Sequence, residues 1–244
     1  MNEGSEKAAG YSPTSRLLYG VTKAFVRGVL VVFFRLKATG RQHELRTGRV
    51  IYASNHISAL DPPVVGAAVR RELTYLAKRE LFGVPVLGAL IRTFHARPVD
   101  RGGYTRGVLE ILRGQLEDDE AVLIFPEGTR RRDGRLGEGK IGVGMLAVWT
   151  GSPVIPAYVC GTASVWKALL GRTRFRVAFG PPVFPPAAAT PADRKQAYQV
   201  VTDQVMGEIA RLKAAVDRSC SYHSSTAQAD RVSAGDGAVQ SGQR

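Results

Sequence analysis

An α/β domain with a largely parallel central sheet flanked by helices is the fold this sequence predicts. Three observations predict it. From residue 49 onward, short apolar runs alternate with longer helical patterns. Val50-Ile51-Tyr52-Ala53-Ser54 and Ala121-Val122-Leu123-Ile124-Phe125 are nearly unbroken apolar runs, as strands covered on both faces read. The chain has 244 residues, 44% of them hydrophobic, which suffices for one packed domain and falls short of two once its tails are set aside.

Each element follows from local pattern. Residues 1–14 are small and polar and are expected to be flexible. Ser15–Lys37 reads as a single helix, which at 1.5 Å per residue is about 34 Å long. Pro13, Thr14 and Ser15 mark its start, and Gly40 follows its end. The strands expected beyond it are Val50–Ser54, Leu73–Ala77, Phe94–Val99, Ala121–Phe125, Val154–Val159 and Arg174–Phe179. The helices are Asp61–Val69, Arg101–Leu116, Ile141–Trp149 and Pro191–Val216. From Ser219 onward, 16 of 26 residues are Ser, Ala, Gly or Gln, so 219–244 is expected to be a disordered tail. The domain proper is then 41–218, preceded by an amphipathic segment at 15–40.

A net charge of +13 and a pI near 10.2 call for a polyanionic neighbour. Residues 1–50 hold nine Lys/Arg against Glu3, Glu6 and Glu44, a net of +6 in a fifth of the chain. That excess lies on the most apolar segment. Arg16, Lys23, Arg27 and Arg35 recur along one side of the 15–37 helix, while Leu18, Val21, Phe25, Val29, Val32 and Leu36 build the other. Its longest uncharged run, Gly28–Phe34, is seven residues. A spanning helix wants about 20 predominantly apolar residues. An interfacial helix fits better, with its apolar side in the acyl boundary and Lys/Arg at the headgroups of an anionic phospholipid membrane. Plain packing on the domain and a true span are the alternatives.

A nucleic-acid module would interleave basic residues with exposed aromatics or carry a reader motif. Neither is visible, so no nucleic-acid partner is expected. Cys160 and Cys220 make no disulfide framework, which points to a reducing compartment, and no secretory signal pattern is visible. The expected location is the cytoplasmic face of the cell membrane, as a peripheral or monotopic protein; the oligomeric state is open.

Two segments carry the chemistry. Asn55-His56-Ile57-Ser58-Ala59-Leu60-Asp61 follows one buried strand, and Phe125-Pro126-Glu127-Gly128-Thr129-Arg130 follows another, with Glu127 standing 71 residues after His56. On a continuous helix, residues five apart point about 140° away from each other. His56 is therefore expected at the strand exit and Asp61 as the cap of the next helix, with Pro62 opening that helix. There the imidazole can act as general base while the carboxylate fixes its tautomer and stabilises the imidazolium. A bare N-cap is the plainer reading of Asp61. Glu127-Gly128-Thr129-Arg130 forms a turn at the edge where open α/β sheets bind ligands. The forked donors of Arg130 match phosphate oxygens. Lys78, at a strand end, is a candidate cation for phosphate or a developing oxyanion, or simply a solvated lysine. Arg131, Arg132 and Arg135 read as a solvated or headgroup-facing run, and His43, His95 and His223 as surface or structural histidines. No His/Cys cluster suggests a metal.

These two segments together resemble the glycerolipid acyltransferase family, best known for the bacterial 1-acyl-sn-glycerol-3-phosphate acyltransferases. The specific motifs occupy some two dozen positions within an architecture covering roughly 15–215. The resemblance implies an acyl transfer in which the acceptor's own hydroxyl is the nucleophile, with no cofactor and an acyl thioester (acyl-CoA or acyl carrier protein) as co-substrate. It implies that Asn55, part of the histidine motif, binds substrate, that Glu127, Gly128, Thr129 and Arg130 meet the acceptor, and that Glu127 lies near the glycerol hydroxyls. Ala96-Arg97-Pro98-Val99-Asp100-Arg101-Gly102 is similar to the family's second block, with Arg101 the phosphate-gripping arginine and Arg97 a competitor. Val154-Ile155-Pro156-Ala157 is similar to the fourth, with Pro156 shaping the sheet or the acyl side of the site. Lysophosphatidate is the leading acceptor; glycerol-3-phosphate, a lyso-aminolipid or another lysophospholipid suits a related site. A non-catalytic basic membrane-binding protein is the rival class. A hydrolase ranks below it, since no Gly-x-Ser-x-Gly elbow occurs.

Overall fold

The protein is seen in a computed structural model that describes residues 12–99, 106–131, 133–187 and 190–236, and among the described residues it has seven strands and seven α-helices. In chain order they are α1 (Pro13–Phe34), β1 (Lys37–Thr39), β2 (Val50–Ser54), α2 (Asp61–Ala68), β3 (Thr74–Lys78), α3 (Pro85–Thr93), β4 (Arg97–Val99), α4 (Arg106–Glu117), β5 (Ala121–Ile124), α5 (Gly142–Thr150), β6 (Val154–Cys160), α6 (Val165–Leu169), β7 (Arg176–Phe179) and α7 (Pro191–Asp236). The sheet order is β1-β7-β6-β2-β5-β3-β4. β2 to β6 run parallel; β7 turns antiparallel to β6, and β1 follows β7.

β2 lies at the centre, buried at all five positions. Its residues alternate between two cores, as the period of two in a strand requires. Val50 and Tyr52 join Val64, Val65, Leu73, Phe94 and Leu123 on the α1–α2–α3 side. Ile51 and Ala53 join Leu112, Val122, Leu146, Val201 and Val205 on the α4–α5–α7 side. α5 lies so close to α7 that a Cβ on Gly144 would meet the Tyr198 carbonyl oxygen at 1.9 Å, and only glycine permits that approach. Pro156 is buried within β6, opposite Ala53. Its carbonyl accepts from Gly180 at 2.8 Å, so its missing N–H points to the side where β7 has ended. Pro156 therefore shapes the sheet from inside, away from the loops at the strand ends.

α1 differs from its sequence reading in ends and in facing. Ser12 caps it, its side chain accepting from Ser15 N–H at 3.2 Å. It stops at Phe34 rather than Lys37, because Arg35 turns left-handed (φ 51°) and Leu36 N–H closes onto the Leu30 carbonyl at 3.0 Å. Residues 37–39 then form a strand that begins at Lys37, the last residue of the expected helix.

The basic side faces the domain. Lys23 donates to the Arg71 carbonyl at 2.6 Å and Arg27 to the Ala67 carbonyl at 3.0 Å. Tyr19, fully buried, accepts from Leu73 N–H at 2.9 Å, and Ser15 meets His95 Nε2 at 3.2 Å. Burial lowers the Lys23 ammonium to about 8. The outer side is apolar: Leu17, Leu18, Val21, Phe25, Val31, Val32 and Phe33 are exposed, Phe25 and Val32 at 70%. α1 is long and apolar enough to cross a membrane by length and composition. Lys23 and Arg27 thus satisfy backbone carbonyls of the domain instead of meeting headgroups.

His95 gives this docking a pH dependence. Burial first, and Arg97 and Arg16 after it, lower its imidazole to about 4, and its ring packs on Tyr19 at 4.8 Å. The folded protein keeps it neutral, whereas the unfolded chain takes up a proton near pH 6.5. Its contribution is complete above pH 6.5 and is lost as pH falls toward 4, by about 1.4 kcal/mol per unit. Thermal unfolding from pH 7 to 4.5 checks this: the midpoint falls more steeply for the wild type than for His95→Asn.

α7 runs to Asp236, past residue 219, where the sequence reading ends the ordered chain. Helix propagation adds one hydrogen bond per residue and needs no new nucleus, so a packed stretch extends beyond its own apolar contacts.

Candidate active site

β2 and β5 pair in parallel register, Val50 with Ala121 through Ala53 with Ile124, and both release their chains at the same edge of the sheet. That edge gathers the site. Asn55 leaves β2 buried, its amide nitrogen donating to the Val159 carbonyl at 3.0 Å and its oxygen accepting from Val159 N–H at 2.7 Å. It thus stitches the loop to β6, and its amide is spent on that bridge instead of on a substrate.

His56 follows, its side chain 17% exposed. Its ring stacks on Phe125, centroids 4.0 Å apart at 19°. Nδ1 lies 2.9 Å from Asp61 Oδ2, which makes Nδ1 the protonated nitrogen and leaves the Nε2 lone pair directed to the outside. Asp61 itself is fully buried. Oδ2 also accepts from Ile57 N–H at 2.6 Å and Ser58 N–H at 2.7 Å, and Oδ1 accepts from Thr162 Oγ1 at 2.5 Å. The expected N-cap role fails on this geometry. Asp61 is the first residue of α2 and Leu60 its cap, and the carboxylate folds back onto the loop that carries His56. Pro62 and Pro63, which lack N–H groups, leave no donor at those two positions to draw the carboxylate forward.

Phe125-Pro126-Glu127-Gly128 forms a tight turn closed by Gly128 N–H on the Phe125 carbonyl at 2.9 Å. Gly128 has φ 67°, a left-handed conformation that favours glycine, and the Lys140 side chain lies over it. Glu127 is 4% exposed. Its Oε1 accepts from His56 N–H at 3.2 Å and its Oε2 from Gly137 N–H at 3.0 Å. Arg131 N–H donates to the His56 carbonyl at 2.7 Å. The two motifs are therefore hydrogen-bonded to each other directly, and Glu127 holds the histidine loop. Thr129 and Arg130 are exposed at the same turn, free of that scaffolding geometry and open to a ligand.

Lys78 ends β3 exposed on this edge, three residues beyond Tyr75, which pairs with Leu123. Arg101 and Arg132 lie outside the described residues. Arg97 turns inward to Gln115 Oε1 at 3.4 Å, which removes it as a competitor for phosphate. Thr162, 1% exposed, is the site residue that sequence reasoning missed. It stands 101 residues from Asp61 in an ordinary Cys-Gly-Thr stretch, and its only signal is Gly161, whose φ of 88° turns the chain back at the end of β6. A recess of about 680 Å³ lined by Arg106, Trp149, Phe184 and Arg194 lies elsewhere, between α4, α5 and the approach to α7.

Known proteins are similar to this chain in sequence and in fold. A 1-acyl-sn-glycerol-3-phosphate acyltransferase of Limnanthes douglasii is 31% identical over 180 residues, covering 70% of this chain and 63% of that protein. The Haemophilus influenzae protein of the same name is 30% identical over 140 residues, covering 55% and 58% respectively. The chain thus spans less than two thirds of the length of either relative. The crystal structure of PlsC from Thermotoga maritima, a 1-acyl-sn-glycerophosphate (LPA) acyltransferase, matches with a TM-score of 0.59 over 78% of this chain and 79% of that one. At 24% identity this is a likeness of fold. Residues 35–160, more than half of the chain, match the Acyltransferase family; they run from the end of α1 through β6 and include His56, Asp61 and the Phe125–Arg130 turn, and the chain belongs to that family.

Proposed function

We propose that this protein transfers a fatty acyl chain from an acyl thioester to the free hydroxyl of 1-acyl-glycerol-3-phosphate, giving phosphatidic acid and a free thiol. The observation that carries this reading is the His56 imidazole, held by Asp61 through Nδ1 with Nε2 open, beside an exposed Thr129-Arg130 turn. Nε2 takes the proton as the acceptor oxygen attacks the thioester carbonyl. The tetrahedral adduct collapses, the C–S bond breaks, and the imidazolium returns the proton to the leaving thiolate. Asp61 stabilises that imidazolium. Arg130, and Lys78 along the same edge, supply positive charge for the phosphate and the developing oxyanion. Acyl-CoA and acyl carrier protein present the same phosphopantetheine thioester, and either serves as donor.

Membrane association accompanies this chemistry, at the cytoplasmic face. The exposed apolar side of α1 supports it, lying in the acyl boundary while the Lys23 and Arg27 side grips the domain. The test measures thiol release from long-chain acyl-CoA by the purified protein on anionic vesicles, with lysophosphatidate, glycerol-3-phosphate, lysophosphatidylcholine or no acceptor. Release is expected to be greatest with lysophosphatidate. Release without any acceptor makes the protein a thioesterase, and no release from acyl-CoA, nor from acyl carrier protein in a parallel assay, overturns the reading.

A further inference from the structure

We propose that α6 and the turn after it form a second lipid-contact element, which seats the catalytic edge of the sheet on an anionic bilayer. This rests on the reading of α1 as membrane-bound. Within Val165–Leu169 only Ala168 is buried. Trp166 is 76% exposed, and Leu169 and Leu170 beside it are also exposed. This short helix puts only Ala168 into the core, while Trp166, Leu169 and the capping Leu170 face outward. Tryptophan settles where one side of its ring is apolar and the other wet, as at the headgroup level of a bilayer.

Position and charge select the occupant. The Arg35 guanidinium donates to the Gly171 carbonyl at 3.3 Å, and Phe34 stacks on Phe175 at 4.6 Å. The turn after α6 is thereby fixed to the C-terminal end of α1, beside exposed Val31, Val32 and Phe33. The apolar surface therefore runs from α1 onto α6. Around it stand Arg35, Lys37, Lys167, Arg172 and Arg174, all exposed, and no Asp or Glu occurs between Glu138 and Asp193. An apolar patch whose neighbours along this stretch of chain are cations complements anionic phospholipid. In the other direction along the chain, Thr162 precedes α6 by three residues and holds Asp61. The lipid contact thus ends within a few residues of the catalytic carboxylate, and a lipid acceptor can reach His56 without leaving the interface.

Trp149 and Trp166 are the two tryptophans of the chain, so Trp149→Phe leaves Trp166 as a single reporter in the full-length protein. The probe is a vesicle of phosphatidylglycerol and phosphatidylcholine in equal parts, with or without bromine on the acyl chains. Co-sedimentation measures binding, and emission measures the place of Trp166. On vesicles, the emission is expected to shift to the blue and to be quenched several-fold by the brominated lipid. Co-sedimentation with an unshifted, unquenched Trp166 overturns the α6 contact and leaves the α1 reading standing. Failure to co-sediment overturns both. A blue shift that appears without vesicles and grows with protein concentration assigns the patch to a second copy of the chain and overturns the lipid contact. Turnover with a detergent-dispersed acceptor, measured on the same sample, separates these outcomes from a failure of the catalytic reading.

Discussion

His56→Ala lowers acyl transfer to lysophosphatidate by about 10²–10⁴-fold, the range a positioned general base supplies. The fold survives the change, because what anchors this segment is backbone. His56 N–H on Glu127 and the His56 carbonyl under Arg131 N–H remain when the ring is removed. The ring's own contact is the stack on Phe125, at a partly exposed position. Thermal unfolding of the variant is therefore expected within a few degrees of wild type, a shift of about 1 kcal/mol in a protein of this size. Steady-state turnover on vesicles, alongside a melting curve, checks both halves. Full activity in a folded His56→Ala protein sinks the assignment of the base.

Asp61→Asn is the second large effect, and the geometry separates charge from structure. An asparagine can put its oxygen where Oδ2 stands and keep the bonds from His56 Nδ1, Ile57 N–H and Ser58 N–H. Its amide then faces Thr162, whose hydroxyl can turn from donor to acceptor. Every hydrogen bond has a counterpart, and what disappears is the negative charge that stabilises the imidazolium. Turnover is expected to fall by about 10²-fold or more, with the melting midpoint little changed. Thr162→Val is the companion variant. It leaves the charge but strips Oδ1 of its donor in a fully buried place, so it lowers stability along with rate. Thr162→Ser restores both. An Asp61→Asn protein that unfolds instead would give the carboxylate a role in the loop alone.

The sheet was legible because strands buried on both faces leave an apolar run that local pattern finds. Val50–Ser54 agrees residue for residue, and β3, β5, β6 and β7 differ by a residue or two at their ends. β1 was not legible, since its three residues follow a helix stop made by an arginine in a left-handed conformation, a place where a sequence reader looks for glycine. α3 and α6 are short, and nothing in the reading between Lys78 and Phe94, or between Val159 and Arg174, marks them. The site divides in the same way. His56 with Asp61, five residues apart, could be read as a pair because Asn55, the strand before it and the Phe125–Arg130 segment together resemble a known family, and a loop lets the two meet. The duties of Asn55 and Glu127 could not be read, because each acts through backbone groups that every residue possesses. The facing of α1 was misread for a related reason. Lysine and arginine on a helix suggest water or phosphate, and only the fold supplies the carbonyls of Ala67 and Arg71 as their targets.

The bond from His56 N–H to Glu127 bears on how such a domain can be altered. Segments 55–61 and 125–131 behave as one part cut into two pieces of chain. A graft of the histidine segment into another member of the fold brings its imidazole but leaves behind the carboxylate that sets its backbone. The smallest unit that can be moved with its chemistry intact is β2 and β5 with both loops, plus the end of β6 and the turn after it that carry Val159 and Thr162, so chimeras with a junction between residues 61 and 125 inherit a mismatched pair.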